Sequence, residues 1–221
     1  MTSTLPRRLA GLIITVAVLV ALAGCTGGAP ASSSPAVASP AASAASGCPT
    51  TQPPALGAGE TRTVTMETEK GTIVIRLEAD LSPIAAGNFA ALAGCGYYDG
   101  VVFHRLVPGF VIQGGDPTGT GTGGPGYTIK DEPVTTAYKR GTVAMARTAQ
   151  PDSVGSQFFI VLDDAAGQVL GDPSYNTYQI IGTVTDGMDT VDAIAAMPNS
   201  GEPSNEALEP VAMTKVTVAT P

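Results

Sequence analysis

Tryptophan is absent from the 221 residues, histidine occurs once, as His104, and cysteine three times. One imidazole and three thiols cannot furnish a zinc site within a single chain, so neither a metal nor another cofactor is expected. Charge is scarce as well: Asp, Glu, Lys and Arg make up 14% of the residues, with a formal net charge of −8. No basic cluster exists beyond Arg7-Arg8, which argues against nucleic acid as a partner. What abounds is glycine (27) and proline (18), beside 43% hydrophobic residues. That balance suits a β-rich, loop-rich fold.

The first residues read as an address. Arg7-Arg8 opens a positive region, and Leu9 to Ala23 is an uncharged apolar run. It is shorter than the ~20 residues a spanning helix needs and fits the core of a signal peptide. The paired arginines leave general and twin-arginine export both open. The run ends in Leu22-Ala23-Gly24-Cys25, which resembles a bacterial lipobox. Residues 1–24 are therefore expected to be cleaved, and Cys25 to carry acyl chains that hold the protein at the outer face of the cytoplasmic membrane. An ordinary secretory signal with a chance cysteine is the plainer alternative. Removal of Arg7 and Arg8 leaves nine basic against nineteen acidic side chains, so attachment would fall to the lipid. Residues 26–47 hold eight Ala, six Ser, three Pro and three Gly and no charge. Residues 25–61 are expected to be a lipidated, disordered tether, and 62–221 the folded domain. Outside the cytoplasm disulfides persist. Cys48 and Cys95 remain as an even pair and are expected to join, two unrelated thiols being the other reading.

Within the domain, Arg62–Thr68 and Thr72–Leu77 alternate about a turn at Glu69-Lys70-Gly71, as in a hairpin. Ser82-Pro83 reads as an N-cap and N1 proline opening a helix to about Ala93. Short apolar runs follow at Val101–Leu106, Gly109–Gln113, Thr142–Ala146, Gln157–Leu162, Tyr178–Val184 and Val211–Val218, with a second helix over Met188–Ala196. The fold expected is mainly β, a closed eight-stranded antiparallel barrel capped by two helices.

The densest segment is Phe103-His104-Arg105, followed by Phe110 and then Gln113-Gly114-Gly115-Asp116. Strand alternation places Val111 and Gln113 on one face, with Arg105 on the neighbouring strand and His104 turned the other way. Met145-Ala146 precedes Gly155-Ser156-Gln157-Phe158-Phe159, and Ile181-Gly182-Thr183-Val184 precedes Gly187-Met188-Asp189. These three motifs, in this order, resemble the cyclophilin family over roughly Arg62–Ala219. The resemblance implies a peptidyl-prolyl cis-trans isomerase with Arg105, Phe110 and Gln113 as catalytic residues. It implies a peptide groove made by Val111, Gly121, Ala146, Arg147, Thr148, Gln157, Phe159, Leu170 and Tyr178. The partners implied are proline-containing segments of exported proteins, and a monomer is expected. Val111 stands where the family has Met, Arg147 where it has Asn, and Tyr178 where a pocket His is frequent. With no Trp, cyclosporin is expected to bind weakly.

Taken singly, these residues have blander readings: Arg105 as a surface ion-pair residue, Phe110, Phe158 and Phe159 as core aromatics, His104 as a hydrogen-bonded structural histidine. Gly119-Thr120-Gly121-Thr122-Gly123-Gly124 matches a dinucleotide fingerprint, but Pro125-Gly126 follows where a helix would open, so it reads as a flexible groove edge. Asp163-Asp164 reads as a solvated turn. A non-catalytic module that binds proline peptides is the alternative function.

Overall fold

The chain first folds back at Glu69-Lys70-Gly71. There β1 (Thr61–Thr68) pairs antiparallel with β2 (Gly71–Glu78) along its whole length. Val64 and Met66 face Ile75 and Ile73 across this hairpin, all fully buried. The computed structural model describes residues 47–172, 174 and 177–220. The signal segment 1–24, Cys25 and most of the expected tether lie outside them.

Helix α1 (Pro83–Gly94) follows the hairpin, then β3 (Val102–Val107), β4 (Val111–Asp116), β5 (Thr142–Met145) and β6 (Phe158–Val161). After α2 (Asp164–Leu170), β7 (Ile180–Asp186) and α3 (Met188–Ala195), the chain closes with β8 (Glu206–Ala219). The eight strands form a closed antiparallel barrel in the order β1-β2-β7-β5-β6-β4-β3-β8. Closure leaves no exposed edge.

Two apolar clusters divide the two faces of one wall. Phe103, Ile112, Val143, Met145, Phe158, Ile160 and Ile181 enter the main core, with Phe89 and Leu92 of α1. Their neighbours Val111, Ala144, Phe159, Val161 and Ile180 form a second cluster with Tyr138, Ala166 and Leu170. Strands β5 and β6 are thus buried on both faces and read as unbroken apolar runs rather than alternating ones. The second cluster is the outer wall on which the site is built.

Three expectations change. Where the sequence suggests a solvated turn at Asp163-Asp164, helix α2 opens: Asp163 caps it, accepting from Ala165 N at 2.7 Å. Three helices, not two, therefore accompany the barrel. Ser82 makes no cap hydrogen bond. The carboxylate of Glu132 caps α1 instead, accepting from Ile84 N at 2.8 Å and Ala85 N at 2.9 Å. Finally, residues 48–60, assigned to the tether, lie on the domain. Cys48 is bonded to Cys95, Leu56 N donates to Pro83 O, and Gln52 Oε1 accepts from Lys130 N. A Cβ on Gly87 would come 2.5 Å from Pro54 O, so only glycine lets this strap cross α1.

Candidate active site

Pairing builds the site as a row. Arg105 of β3 is opposite Gln113 of β4, Gln113 is opposite Phe159 of β6, and Phe159 is opposite Ala144 of β5. One strand crosses to the next every ~4.8 Å, so the row places a guanidinium, an amide and a phenyl ring side by side on the outer wall. A bulge lies between Phe103 and Arg105. Phe103 and Leu106 both enter the core, so strict alternation fails, and His104 leaves the core on the same side as Arg105. Its ring lies beside Gly121, where a Cβ would sit 3.7 Å away. His104 is buried, and its ring meets the backbone of Val102 only in a contact that falls short of hydrogen-bond geometry, leaving both nitrogens without a well-formed partner. It is therefore not the hydrogen-bonded histidine expected. Nor does it pair with Ser156, whose Oγ donates to Gly115 O at 2.7 Å. Burial, and next Arg105 nearby, push the imidazole below its usual range, while Asp116 pulls the other way.

A cavity of about 400 Å³ opens over the row. Arg105 and Gln113 line one side, and Phe110, Val111, Phe159 and Leu170 its apolar walls. Tyr178 stands edge-on to Phe159, their centroids 5.3 Å apart. Arg105 Nη1 donates to Gln113 Oε1 at 3.3 Å, a long bond. Among the described residues Arg105 has no carboxylate within ion-pair distance. No other hydrogen bond of its guanidinium is seen among the described residues, and the side chain lines the cavity. Gln113 Nε2 in turn donates to Gln157 Oε1 at 2.9 Å, and Gln157 Nε2 donates to the carbonyls of Gly121 and Gly123 at 3.0 and 2.9 Å.

A second hollow, about 810 Å³, adjoins the first and shares Gln113, Ala146 and Arg147 with it. Gly121, Thr148 and Gln157 line it, so the two hollows together gather all twelve residues expected for the site. The glycine-rich edge of this hollow is tied down rather than free. Asp116 accepts from Thr118 N and Oγ1 at 2.7 and 2.8 Å and from Gly123 N at 2.9 Å. Burial pushes the Asp116 carboxyl up, but the bonds from Gly123 and Thr118 outweigh it and hold it below the usual range.

Two further residues contribute to the site without a signal in the local sequence. Val169, 54% exposed on α2, rims the first cavity; finding it required finding the helix. Tyr138 fixes Tyr178, donating to Tyr178 O at 2.8 Å and accepting from Tyr178 N at 3.2 Å. Burial pushes the Tyr138 hydroxyl up to about 12. Nothing local in the sequence announces that pairing across 40 residues.

The family model for "Cyclophilin type peptidyl-prolyl cis-trans isomerase/CLD" matches residues 63–218. The chain belongs to this family. It is 37% identical over 177 residues to the "Probable peptidyl-prolyl cis-trans isomerase A" of Mycobacterium leprae, covering 71% of this chain and 92% of that protein. It is 48% identical over 95 residues to a peptidyl-prolyl cis-trans isomerase of Synechococcus elongatus, 43% of this chain and 65% of that one. The "Spliceosome-associated protein CWC27 homolog" of Danio rerio is 44% identical over 138 residues, 56% of this chain but only 29% of the fish protein. The chain thus spans under two thirds of several curated relatives. A crystal structure of a Cryptosporidium parvum cyclophilin-type isomerase superposes with a TM-score of 0.64 at 32% identity, over 73% of this chain and 99% of that one. A second structure of it, in the presence of the dipeptide Ala-Pro, gives 0.63 at the same identity, over 72% and 99%. Residues 63–218 are a cyclophilin-type peptidyl-prolyl isomerase domain, and the barrel with three helices is the cyclophilin fold.

Proposed function

We propose that the chain is a lipid-anchored cyclophilin that speeds the folding of exported proteins by rotating prolyl bonds in the first cavity, with Arg105 as the group that acts on the reacting nitrogen. The barrier to rotation is amide resonance, ~18–20 kcal/mol, and the uncatalysed step takes tens to hundreds of seconds. Millisecond turnover requires roughly a 10⁵-fold acceleration, about 7 kcal/mol. Rotation transfers no proton and needs no nucleophile. As the imide twists, its nitrogen regains a lone pair and becomes an acceptor. A guanidinium that donates to it binds the twisted state better than either planar one, and such differential binding lowers the barrier. A charge-assisted bond contributes about 1.5–3 kcal/mol, and more in an apolar cavity. Proline held by Phe110 and Phe159, with the flanking chain beside Gln113 and Arg147, supplies the rest through orientation.

The observation that carries this reading is the row Arg105–Gln113–Phe159 on one wall, with no carboxylate on the guanidinium among the described residues and the apolar hollow beside it open. The relative studied with Ala-Pro supports a prolyl dipeptide as the minimal occupant. The signal run and Leu22-Ala23-Gly24-Cys25 support the anchored, extracytoplasmic setting.

The test is Arg105→Ala in the full chain. We expect kcat/KM for a short prolyl peptide to fall about 10–100-fold, with the peptide still bound. An unchanged rate removes Arg105 from the chemistry. A wild-type chain that binds the peptide without accelerating rotation would be a binding module instead.

A further inference from the structure

Arg147 lines both hollows and departs from the Asn of the resemblance, yet its guanidinium is not offered to a ligand. Nε donates to Thr148 O at 3.2 Å and Nη2 to Gln150 O at 2.8 Å. Nη1 lies 2.9 Å from Asp131 Oδ2. The side chain is 12% exposed. One planar fork thus serves two carbonyls and a carboxylate in three directions, which the single point charge of a lysine does not do.

These acceptors belong to the wall of the second hollow. Residues 148–152 are exposed and contribute nothing to either apolar cluster. What orders the loop is polar. Thr148 N donates to Ser153 Oγ at 3.1 Å, and Ser153 Oγ donates to Gln150 O at 2.7 Å. Asp131 and Asp152 exchange backbone-to-carboxylate bonds at 2.8 and 2.9 Å, and Asp152 stands in the left-handed region, φ 52°, which a non-glycine residue adopts only when held. Beyond Asp152, the Ile129–Val154 bridge joins the same two segments. The loop is therefore pinned to 129–131 at both ends, and at its start the pin is Arg147.

We propose that Arg147 is a positioning residue. Its guanidinium clamps the wall 148–153 to Asp131, so that Thr148 and Ser153 meet the peptide pre-ordered rather than being ordered by it. The cost of immobilising a loop on binding falls equally on the planar and twisted states, so the clamp acts on affinity and not on the rotation step. The kinetic readout rests on the isomerase reading above; the binding readout does not.

The test compares Arg147→Gln, Asp131→Asn and the double variant in the full chain. KM for isomerisation and Kd for the tetrapeptide Ala-Ala-Pro-Phe are both measured, and amide exchange is followed at Thr148 and Asp152. We expect KM and Kd to rise about threefold to tenfold in each single variant, and the double variant to be no worse than either, because both changes open one clamp. We expect kcat to stay within about twofold and the two amides to lose protection. A guanidinium that gripped the peptide directly would be freed by Asp131→Asn. Unchanged or tighter binding in that variant, with weaker binding in Arg147→Gln, overturns the proposal. So does a fall in kcat at constant KM, or unchanged KM and Kd in both. If the wild-type chain proves inactive, the isomerase reading fails alone, and the Kd comparison still decides the clamp.

Discussion

His104 is the chain's single histidine, so an imidazole step in stability between pH 7 and 5 belongs to it. Its ordinary value is about 6.5, and burial holds the native ring below that. Under acid the unfolded chain takes up the proton first. Stability therefore declines as pH falls from about 6.5 toward the native value, and is whole above 6.5. Thermal melts should show stability falling across this window, and His104→Gln should flatten the fall. At lower pH, Asp116 behaves in the opposite chemical sense but to the same effect. Its carboxyl is held low, so its contribution is complete above the ordinary carboxylate value and lost as pH falls through the native one. Neither role could be read from the residues alone. Regular strand alternation places His104 on the opposite face, and the bulge beside Arg105 is a property of pairing with β4 and β8.

Helix α1 begins on a carboxylate from 48 residues away. Glu132 Oε2 also accepts from Gln179 Nε2 at 3.3 Å, next to Tyr178. Glu132→Ala leaves two N-terminal amides of α1 without an acceptor. We expect a loss of about 1–2 kcal/mol, read as a drop in Tm of roughly 2–8 °C, with Glu132→Gln losing less. At this scale much was legible. The eight strands, the β1–β2 turn and both longer helices follow from alternation, from short unbroken apolar runs such as β5 and β6, from Pro83 and from the glycines that end runs. The seven-residue α2 was not, because so short an apolar pattern is lost between two aspartates and a glycine. The cap at Glu132 was not either, because Ser82-Pro83 carries the local signal for a cap that the structure does not use. The site residues were legible as a set only through their joint spacing. What escaped was how they are held: Tyr138 on Tyr178, Asp116 on the glycine-rich edge, and Arg147 on its loop.

The domain is stapled where its N-terminal strap meets the end of α1. The Cys48–Cys95 bond closes a loop of 47 residues, and in the chain-entropy account such a closure contributes up to about 4 kcal/mol. Reduction should lower Tm by roughly 5–15 °C, measured with and without a thiol reductant; an unchanged melt would mean that the packed strap holds without it. Further toward the N-terminus, Cys25→Ala should move the protein from the membrane to the soluble fraction, and continued sedimentation with membranes would count against the anchor. The barrel itself adds one last consequence. Its bore is filled by Phe89, Phe103, Phe158 and their neighbours, and the working hollow is carried on the outside of the wall. A client polypeptide therefore has nothing to thread: it can press a bend of its chain against the barrel sideways, leaving both ends free. A proline deep within a long, half-folded protein is then as reachable as one in a short fragment.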